Sequence, residues 1–539
     1  MKPLCTLVFM LFQYISYGQS YSLGAAASGG NEDVYAFKRM ADGKDGSFYV
    51  IGIFKDSVHF SGSTLYARNS YGVYLAKFNY NVSLLWLKSI AENENTVNSD
   101  TPLLTLKTDN DGNLVTGINY TDNLYLFGDS LKLAGQEGVA LFKLDSSGAK
   151  IWGNSIPGKD IGKKGIAVDP QNNILITGRD STGVYITKFD SNGNHLWTQT
   201  SGGNGVSNRG LHIESDTQGN VFVAGTLKPT SSISFDTIPF VFPSPCNSLA
   251  FIVKYSPNGN AFWVRYVYSP TFGEFTNINT MGCLAEGKIV IGGSYNSDML
   301  RFSNGFSSIG PNDPFFYGSY LACFDSTGNR LWAKKLHDNI TGNDIVDDVK
   351  IVDSTIVMIG DFTNEIVSGS DTLESLGYND ILIENYDSNG DILSQQIIGG
   401  TAIDLEHDLF INSSGTFLVG TTTSHPFNVG TDFFDPDYTR SAFVLGLNSI
   451  PTAIAESRTS EKLIVYPNPN AGSFSLQSTQ MITQIEVSDI MGRIVYSKIT
   501  DGMESSVSIS LPHQRSGLYF LTIIGNDFKI TKRITVINN

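Results

Sequence analysis

The chain has 539 residues, which is more than one hydrophobic core usually serves, so several domains or a repeat array are expected. Only 16% of its residues are charged, and its 54 glycines and 12% aromatic residues are typical of a β-rich protein with many turns. The formal net charge of −16 at pH 7 argues against nucleic acid as a partner, because a phosphate backbone needs a basic surface.

Residues 1–18 are typical of a secretory signal peptide. Lys2 supplies a positive charge, residues 4–15 are apolar, and Ser16-Tyr17-Gly18 offers small residues for cleavage before Gln19. The apolar run is too short to cross a bilayer comfortably, and no other segment reaches that length. We therefore expect an exported protein with no transmembrane segment in its mature chain.

From residue 19 to residue 450 the chain repeats two phrases. The first is a turn, a β-branched strand and a glycine, and it ends at Gly52, Gly117, Gly178, Gly225, Gly292, Gly360 and Gly420. The second is a strand, an Asx-Gly turn and another strand, as in GVYITKFDSNGNHLW at 183–197. A further short apolar strand precedes each first phrase, so one repeat holds four strands, which we number first to fourth along the chain.

Seven four-stranded repeats predict an all-β fold with a seven-bladed β-propeller over residues 19–450, since radial packing leaves only short edges exposed. A linear solenoid is the alternative. The seventh copy ends at Asn448 without a fourth strand, while the start of the mature chain resembles the ends of other repeats. We therefore predict that residues 20–27 pair with 441–448, so that the N-terminal strand closes the last blade.

In five repeats the fourth strand opens with a tryptophan. An indole at a fixed place in each repeat predicts packing between adjacent blades, and stacking on a sugar or cofactor is the alternative. These blade-packing residues are Trp86, Trp152, Trp197, Trp263 and Trp332.

The phrases of residues 20–450 resemble the SBBP-type seven-bladed propeller repeat of secreted bacterial proteins, and less closely the pyrroloquinoline-quinone-type repeat. This resemblance implies a fold and leaves the activity open. Cys283 and Cys323 fall on the first and third strands of one repeat, too far apart for a disulfide, so with Cys246 they are expected to be free thiols.

Residues 451–462 lack strand patterning and are predicted to be a linker. Residues 463–539 alternate apolar and polar side chains over short strands, which predicts a small β-sandwich. Their order of motifs resembles the type A C-terminal sorting domain of the type IX secretion system of Bacteroidetes. The matching residues are Tyr466, Pro467, Asn468, Pro469, Gly472, Phe474, Asp489, Gly492, Arg493, Gly517, Tyr519 and Lys532.

The sorting resemblance implies that the type IX machinery is a partner and that the chain is secreted or displayed on the outer cell surface. It also implies passage through the outer membrane, followed by cleavage or by anchoring to surface lipopolysaccharide. The N-terminal signal peptide is the companion that such a route requires.

The sequence contains no motif that predicts catalytic, cofactor-binding or metal-binding residues, since its seven histidines show no metal-ligand spacing. Asp109-Asn-Asp111 vaguely resembles a calcium loop, but it occupies a turn that needs Asp and Gly for structural reasons. Asp344, Asp347 and Asp348 lie in a connection between repeats, where a solvated face is predicted and a metal site is the alternative.

The long connections between second and third strands carry many aromatic residues, and propeller geometry would gather them on one face. The leading hypothesis is a non-enzymatic protein that binds a glycan or protein through this face. The alternative interpretation is that the rings pack the loops against the blades. The alternative functions are a polysaccharide lyase or hydrolase, whose site needs converging acids or a Tyr/His/Arg set, and a structural surface component.

Overall fold

The computed structural model of the chain consists of β-strands joined by turns, and the only helical element in its described residues is a 3₁₀ turn at Ala285–Gly287. No described helix has the length and apolar character needed to span a membrane. The predicted signal peptide 1–18 and linker 451–462 lie outside the described residues. The structure describes residues 21–27, 37–60, 63–67, 71–93, 103–127, 129–203, 208–229, 233–244, 246, 248–270, 275–297, 299–303, 317–339, 343–369, 371–412, 415–424, 426–429, 432–434, 441–447, 464–466, 472–477, 482–489, 493–499, 506–511, 517–525 and 529–536.

The chain divides into two compact units, Met1–Thr452 (unit 1) and Ala453–Asn539 (unit 2). The first described element of unit 1 is a strand that precedes all seven repeats, β1 (Tyr21–Ala27). Repeat 1 contains β2 (Phe37–Asp42), β3 (Ser47–Phe54), β4 (Ser57–Phe60), β5 (Ser63–Tyr66), β6 (Tyr71–Asn79) and β7 (Leu84–Asn93). Repeat 2 contains β8 (Leu104–Thr108), β9 (Leu114–Leu126), β10 (Asp129–Leu144) and β11 (Lys150–Pro157). Repeat 3 contains β12 (Lys159–Val168), β13 (Ile174–Asp180), β14 (Gly183–Phe189) and β15 (His195–Thr200).

The later repeats follow the same plan. Repeat 4 contains β16 (Arg209–Ser215), β17 (Val221–Leu227), β18 (Ile233–Phe235), β19 (Ile238–Phe240), β20 (Leu249–Tyr255) and β21 (Ala261–Tyr268). Repeat 5 contains β22 (Thr276–Cys283), β23 (Ile289–Tyr295), β24 (Arg301–Phe302), β25 (Gly318–Phe324), β26 (Arg330–Lys335) and β27 (His337–Asn339). Repeat 6 contains β28 (Asp344–Val352), β29 (Thr355–Phe362), β30 (Glu365–Ser368), β31 (Asp371–Glu374), β32 (Asp380–Tyr386) and β33 (Ile392–Gly400). Repeat 7 contains β34 (Asp404–Asn412), β35 (Gly415–Thr422), β36 (Phe427–Val429), β37 (Asp432–Phe434) and β38 (Ser441–Leu447).

Each repeat forms a four-stranded antiparallel arrangement, as in β22-β23-β25-β26 of repeat 5. In the seventh, the order is β1-β38-β35-β34, with Tyr21 opposite Leu447 and Ala27 opposite Ala442. The pairing that the sequence predicts is therefore present between Tyr21–Ala27 and Ala442–Leu447, and residues 20 and 448 lie outside the described residues. It supplies repeat 7 with the fourth strand that its own sequence lacks.

The first strands contact one another in a cycle. Each first strand contacts the first strand of the next repeat, and that of repeat 7 contacts that of repeat 1. In chain order these strands are β2, β8, β12, β16, β22, β28 and β34. Buried apolar clusters join the same neighbours, including Phe410 and Phe417 of repeat 7 with Phe48 and Phe78 of repeat 1. Because no apolar face of a single repeat is large enough to bury itself, these shared cores are what hold the sheets together.

The local sequence explains the hairpin turns. In the turn of repeat 3, the Asp190 carboxylate accepts backbone N–H bonds from Asn192 and Asn194, both at 2.9 Å. Gly193 takes a φ of +84°, which a residue with a Cβ rarely adopts. Asp145, Asp325 and Asp387 form the same turn in other repeats, which is why the Asx-Gly phrase recurs.

Unit 2 has two sheets that share one apolar core. The first sheet has the order β39-β40-β43 and the second β42-β41-β44-β45. Their strands are β39 (Ile464–Tyr466), β40 (Ser473–Gln477), β41 (Ile482–Asp489), β42 (Ile494–Ile499), β43 (Ser506–Ser510), β44 (Gly517–Gly525) and β45 (Lys529–Val536).

Candidate functional site

The residues of the predicted sorting motif occupy unit 2. Phe474 on β40 and Tyr519 on β44 are buried in its core, at 3% and 6% exposure. Gly472 has a φ of +85° and its carbonyl accepts a hydrogen bond from the backbone of Leu511, so this position favours glycine. Phe474, Tyr519 and Gly472 thus serve the fold of the unit.

The remaining motif residues divide into two groups. Tyr466, Asp489, Gly517 and Lys532 lie on strands, and Arg493 is exposed just before β42. Pro467, Asn468, Pro469 and Gly492 lie outside the described residues.

The tryptophans of the fourth strands contact the turn of the following repeat. The indole Nε1 of Trp197 donates to the Pro257 carbonyl at 3.1 Å, and a Cβ on Gly259 would lie 3.1 Å from the ring. Trp152, Trp263 and Trp332 make the corresponding bonds to Ser191, Ser326 and Ser388, and Trp86 lies against Gly148. Each indole therefore covers a glycine that leaves room for it, and we propose that these contacts fix one repeat on the next.

Replacing Trp197 tests this packing role. Trp197→Ala removes an apolar contact and one hydrogen bond, so the free energy of unfolding should fall by about 3 kcal/mol, and Trp197→Phe should cost about 1 kcal/mol. Leu196→Ala is the matched control, because Leu196 lies on the same strand and is 49% exposed. Equal effects of Trp197→Ala and Leu196→Ala in chemical denaturation would contradict the role.

A buried ion pair supports the same interface. Lys188 on β14 pairs with Asp169 at 2.8 Å and also donates to the Pro257 carbonyl of the next repeat at 3.1 Å. Lys143–Asp109 and Lys254–Asp216 repeat this arrangement. Asp109 also accepts the backbone N–H groups of Asp111 and Asn113, so its carboxylate is used by the turn and by Lys143. This favours the structural interpretation of the Asp109 turn over a calcium loop.

Four of the seven connections between second and third strands form short hairpins in the described residues. β4–β5, β18–β19, β30–β31 and β36–β37 each pair in this way. Most of their described aromatic side chains pack inward, as Phe60 and Phe427 do at 0% exposure. Tyr66, Tyr317 and Tyr378 are exposed at 72%, 41% and 72%, and all three lie in these connections.

Charged residues concentrate on the first strands. Five of these strands carry a one-residue bulge, at Lys38, Leu211, Asn279, Asp347 and His407. A bulge turns the neighbouring side chains out of the regular alternation. The charged groups meet there in what we call the first-strand cluster: Arg39, Lys163, Lys164, Asp347, Asp348, Lys350, Glu406 and Asp408.

Ion pairs within the first-strand cluster join distant repeats. Lys163 of β12 contacts Asp347 of β28 at 2.9 Å, and Lys164 pairs with Asp348. Lys350 contacts Asp348 at 2.7 Å and Asp408 at 3.7 Å. Asp344 and Asp348 are only 2% exposed, and all three aspartates lie on β28. The prediction of a solvated face was therefore wrong for Asp344 and Asp348, which are buried, whereas the Asp347 side chain is 22% exposed.

Three carboxyl groups at the edge of this cluster approach one another. One oxygen each of Asp347, Asp361 and Glu406 lies within 4.8 Å of the other two. Burial and the negative charges of Asp347 and Asp361 raise the pKa of Glu406 well above its usual range. Burial and the Asp347 charge raise the pKa of Asp361 to about 7. Burial opposes ionisation of Asp347 too, but the Lys163 ammonium lowers its pKa to about 2.

The sequence did not single out Asp361 or Glu406. A signal for Asp361 exists in the repeat alignment, since it follows Gly360 where other repeats have Ile53, Ile118 and Thr226. Among the seven repeats this position is charged only at Arg179 of repeat 3 and at Asp361 of repeat 6, so the acid is specific to repeat 6.

A second buried network surrounds His337. Its Nδ1 lies 2.7 Å from Asp344 and its Nε2 lies 2.9 Å from Glu384. Burial lowers the pKa of His337, but the charges of Glu384 and Asp344 outweigh it and raise the pKa to about 10. Because all three side chains are at most 2% exposed and pair with one another, the network stabilises the fold.

Residues 464–537 match the protein family described as "Secretion system C-terminal sorting domain". This confirms the sorting assignment of the tail. The chain therefore carries the export signal of type IX secretion, which directs a protein to the cell surface or the extracellular space. The resemblance of residues 20–450 to SBBP-type repeats stays a prediction.

Solved structures give only distant likenesses. PorZ, an essential surface component of the type IX secretion system of Porphyromonas gingivalis, has 12% identity and a TM-score of 0.28, over 93% of this chain and 70% of PorZ. A Dyadobacter fermentans protein of unknown function has 11% identity and a TM-score of 0.36, over 80% of this chain and 100% of that protein. Prolyl oligopeptidase B of Galerina marginata has 9% identity and a TM-score of 0.38, over 85% of this chain and 57% of that protein. No curated protein matches this sequence.

Proposed function

We propose that unit 1 is a closed seven-bladed β-propeller that binds a glycan or protein ligand outside the cell, and that unit 2 is the sorting β-sandwich that exports it. Two observations on unit 1 support closure. The first strands contact one another in a complete cycle, and β1 completes the sheet of repeat 7. A ring of this kind presents all connections between second and third strands on one face.

The observation that carries the binding proposal is the set of exposed tyrosines in those connections. Tyr66, Tyr317 and Tyr378 come from repeats 1, 5 and 6, and exposed Val241 and Leu376 lie in connections of the same type. Tyrosine offers a large contact area with few rotatable bonds, and its hydroxyl adds a hydrogen bond, which makes it frequent in binding surfaces. The proposed ligand surface consists of these five residues.

Binding to an array of immobilised polysaccharides tests this surface. We expect the full chain to bind a subset of the array, and the double variant Tyr66→Ala/Tyr378→Ala to lose about tenfold or more in affinity. Leu85→Ala is the matched control, because Leu85 is 52% exposed but lies on fourth strand β7. An unaffected double variant would contradict the proposed surface, and a wild-type chain that binds no polysaccharide would remove the glycan from the proposal.

A polysaccharide hydrolase is the second candidate, because the environments of Asp347 and Glu406 push their pKa values apart, as in acid/base pairs. Both carboxyl groups of such an enzyme must reach the sugar. Glu406 is only 4% exposed, so its carboxyl is poorly placed to protonate a glycosidic oxygen. We expect no release of reducing ends from the polysaccharides that bind. If reducing ends are released and Asp347→Asn abolishes that release, the hydrolase function would be favoured.

A further inference from the structure

A segment of repeat 6, residues 371–379, leaves every second side chain in solvent. Leu373 is buried, whereas Glu374, Leu376 and Tyr378 are exposed and the residues between them are partly buried. Leu376 is 55% exposed and Tyr378 is 72% exposed. Because side chains two residues apart lie on the same side of an extended chain, an acid, an aliphatic group and an aromatic ring form a row.

Ile403, in the connection between repeats 6 and 7, joins this row. Asn379 forms a β-bridge with Ile403, and the Tyr378 backbone N–H donates to the Ala402 carbonyl at 2.9 Å. Ile403 is 43% exposed. Apolar side chains exposed singly are common on any protein surface, but adjacent ones are typical of contact surfaces. We name the following set the repeat-6 strip: Glu374, Leu376, Tyr378 and Ile403.

The backbone beneath the repeat-6 strip is held by two buried carboxyl groups. The Asp380 carboxyl accepts the N–H groups of Leu376 and Gly377, and the Asp404 carboxyl accepts the Gly400 N–H at 2.7 Å. Both acids are 0% exposed. A surface that is ordered in this way before binding loses little conformational entropy when a partner arrives.

Two facing glutamates make one end of the repeat-6 strip negative. Glu365 of β30 lies directly opposite Glu374 of β31, and like charges in this position destabilise an antiparallel pair. Among the described residues, no Lys, Arg or His lies within ion-pair distance of either glutamate. A basic side chain from another molecule would therefore relieve a repulsion that the described part of the chain leaves in place.

The repeat-6 strip also borders an open strand edge. The sheet order is β27-β30-β31, so β31 is paired on one side only in the described residues. An open edge offers backbone N–H and C=O groups to an extended segment of another chain. Every second side chain of such a segment would face the repeat-6 strip.

We propose that the repeat-6 strip binds an extended segment of a protein partner. The segment places basic side chains opposite the two glutamates and apolar side chains opposite Leu376, Tyr378 and Ile403. This inference rests on the proposed function of unit 1 as a binding module, and it names a protein as the ligand. Leu376 and Ile403 favour a protein over a glycan, because an aliphatic side chain offers a sugar neither an aromatic face nor a hydrogen bond.

Fluorescence anisotropy of the full chain with three labelled peptides of equal length tests the repeat-6 strip. In the first peptide, lysine and leucine occupy alternate positions, with threonine between them. Glutamate replaces lysine in the second peptide, and serine replaces leucine in the third. We expect the first peptide to bind about tenfold more tightly than either of the others, because it alone matches both the charge and the apolar groups.

Two variants and a control locate the peptide. Glu374→Lys should weaken the lysine–leucine peptide by about tenfold and strengthen the glutamate–leucine peptide, because it reverses the charge at the strip. Glu286→Lys is the matched control, since the Glu286 side chain is 76% exposed in a turn of repeat 5, and it should change neither affinity. Leu376→Ser/Ile403→Ser should also cost the lysine–leucine peptide about tenfold, and circular dichroism checks that each variant is folded.

Three results would overturn the proposal. One is a full chain that binds none of the three peptides. Another is an equal effect of Glu374→Lys and Glu286→Lys, which would show attraction to the net charge of −16 alone. The third is a dimer in sedimentation velocity that Leu376→Ser dissociates, which would assign the repeat-6 strip to a second copy of the chain.

The same experiments separate this inference from the proposed function. Polysaccharide binding that depends on the exposed tyrosines, without binding of any peptide, would remove the protein segment and keep the binding module. Peptide binding that Leu376→Ser/Ile403→Ser weakens and Tyr66→Ala/Tyr317→Ala leaves unchanged would support the repeat-6 strip and contradict the wider five-residue surface.

Discussion

Deletion of residues 21–27 is expected to lower the free energy of unfolding of unit 1 by about 5 kcal/mol, from the loss of one strand's ladder of hydrogen bonds at about 1 kcal/mol each. The deletion removes β1 and leaves the backbone of β38 as an open edge. Open edges also pair with other chains, so the truncated protein should aggregate on heating. Differential scanning calorimetry should show a midpoint lower by roughly 5 °C or more for a unit of this size.

A peptide in trans provides the control for this deletion. A synthetic peptide covering residues 19–30 should restore most of the lost midpoint, because an extended peptide can add to an exposed sheet edge. A scrambled peptide of the same composition should not. A truncated chain that melts at the wild-type temperature would show that β1 is dispensable and that the ring is not closed by it.

Removing unit 2 is expected to abolish export while leaving unit 1 folded. A chain that ends at Thr452 lacks the whole sorting domain, so we expect it to accumulate in the periplasm of a host with a type IX system. Immunoblots of cell fractions and culture medium measure the distribution. The melting transition of the purified truncated chain should match that of unit 1 in the full chain.

Point variants within unit 2 test whether export requires the folded unit or only its presence in the chain. Phe474→Ala removes a buried ring from a small core and should cost about 3 kcal/mol, enough to reduce export strongly. Ile499→Ala is the matched control, because Ile499 is 79% exposed in the same unit, and it should be exported normally. Export of the chain that ends at Thr452 at the wild-type level would contradict the sorting role.

Most of the features that the sequence could predict are local. Asp190 and Gly193 define a turn by their own chemistry, so the repeats, their strands and the hairpin turns follow from spacing alone. The pairing of β1 with β38 also follows, because a missing fourth strand in repeat 7 and a spare strand at the start of the chain complement each other. The sorting motif could also be predicted, because its residues lie within one continuous stretch of the sequence, 464–537.

The charged contacts between repeats could not be predicted. Lys163 and Asp347 pair across 184 residues, and nothing near Asp347 in the sequence indicates a cation partner. An acidic run such as Asp347-Asp348 is usually exposed, which is why the solvated interpretation was wrong here. Phe60 and Phe427 are loop residues by sequence but are buried, which agrees with the alternative interpretation that these rings pack the loops against the blades.

Closure of the ring is the claim on which the proposed ligand face depends. A disulfide between β1 and β38 tests it most directly, because Ala27 and Ala442 lie opposite each other in the register. Opposite residues of an antiparallel pair are about 5 Å apart at Cβ, close enough for a bridge with small adjustment. In Ala27→Cys/Ala442→Cys we expect peptide mapping to recover the linked peptides, whereas Ala27→Cys/Leu447→Cys, out of register by several residues, should stay reduced. Free thiols at both positions of the first variant would contradict the closed ring.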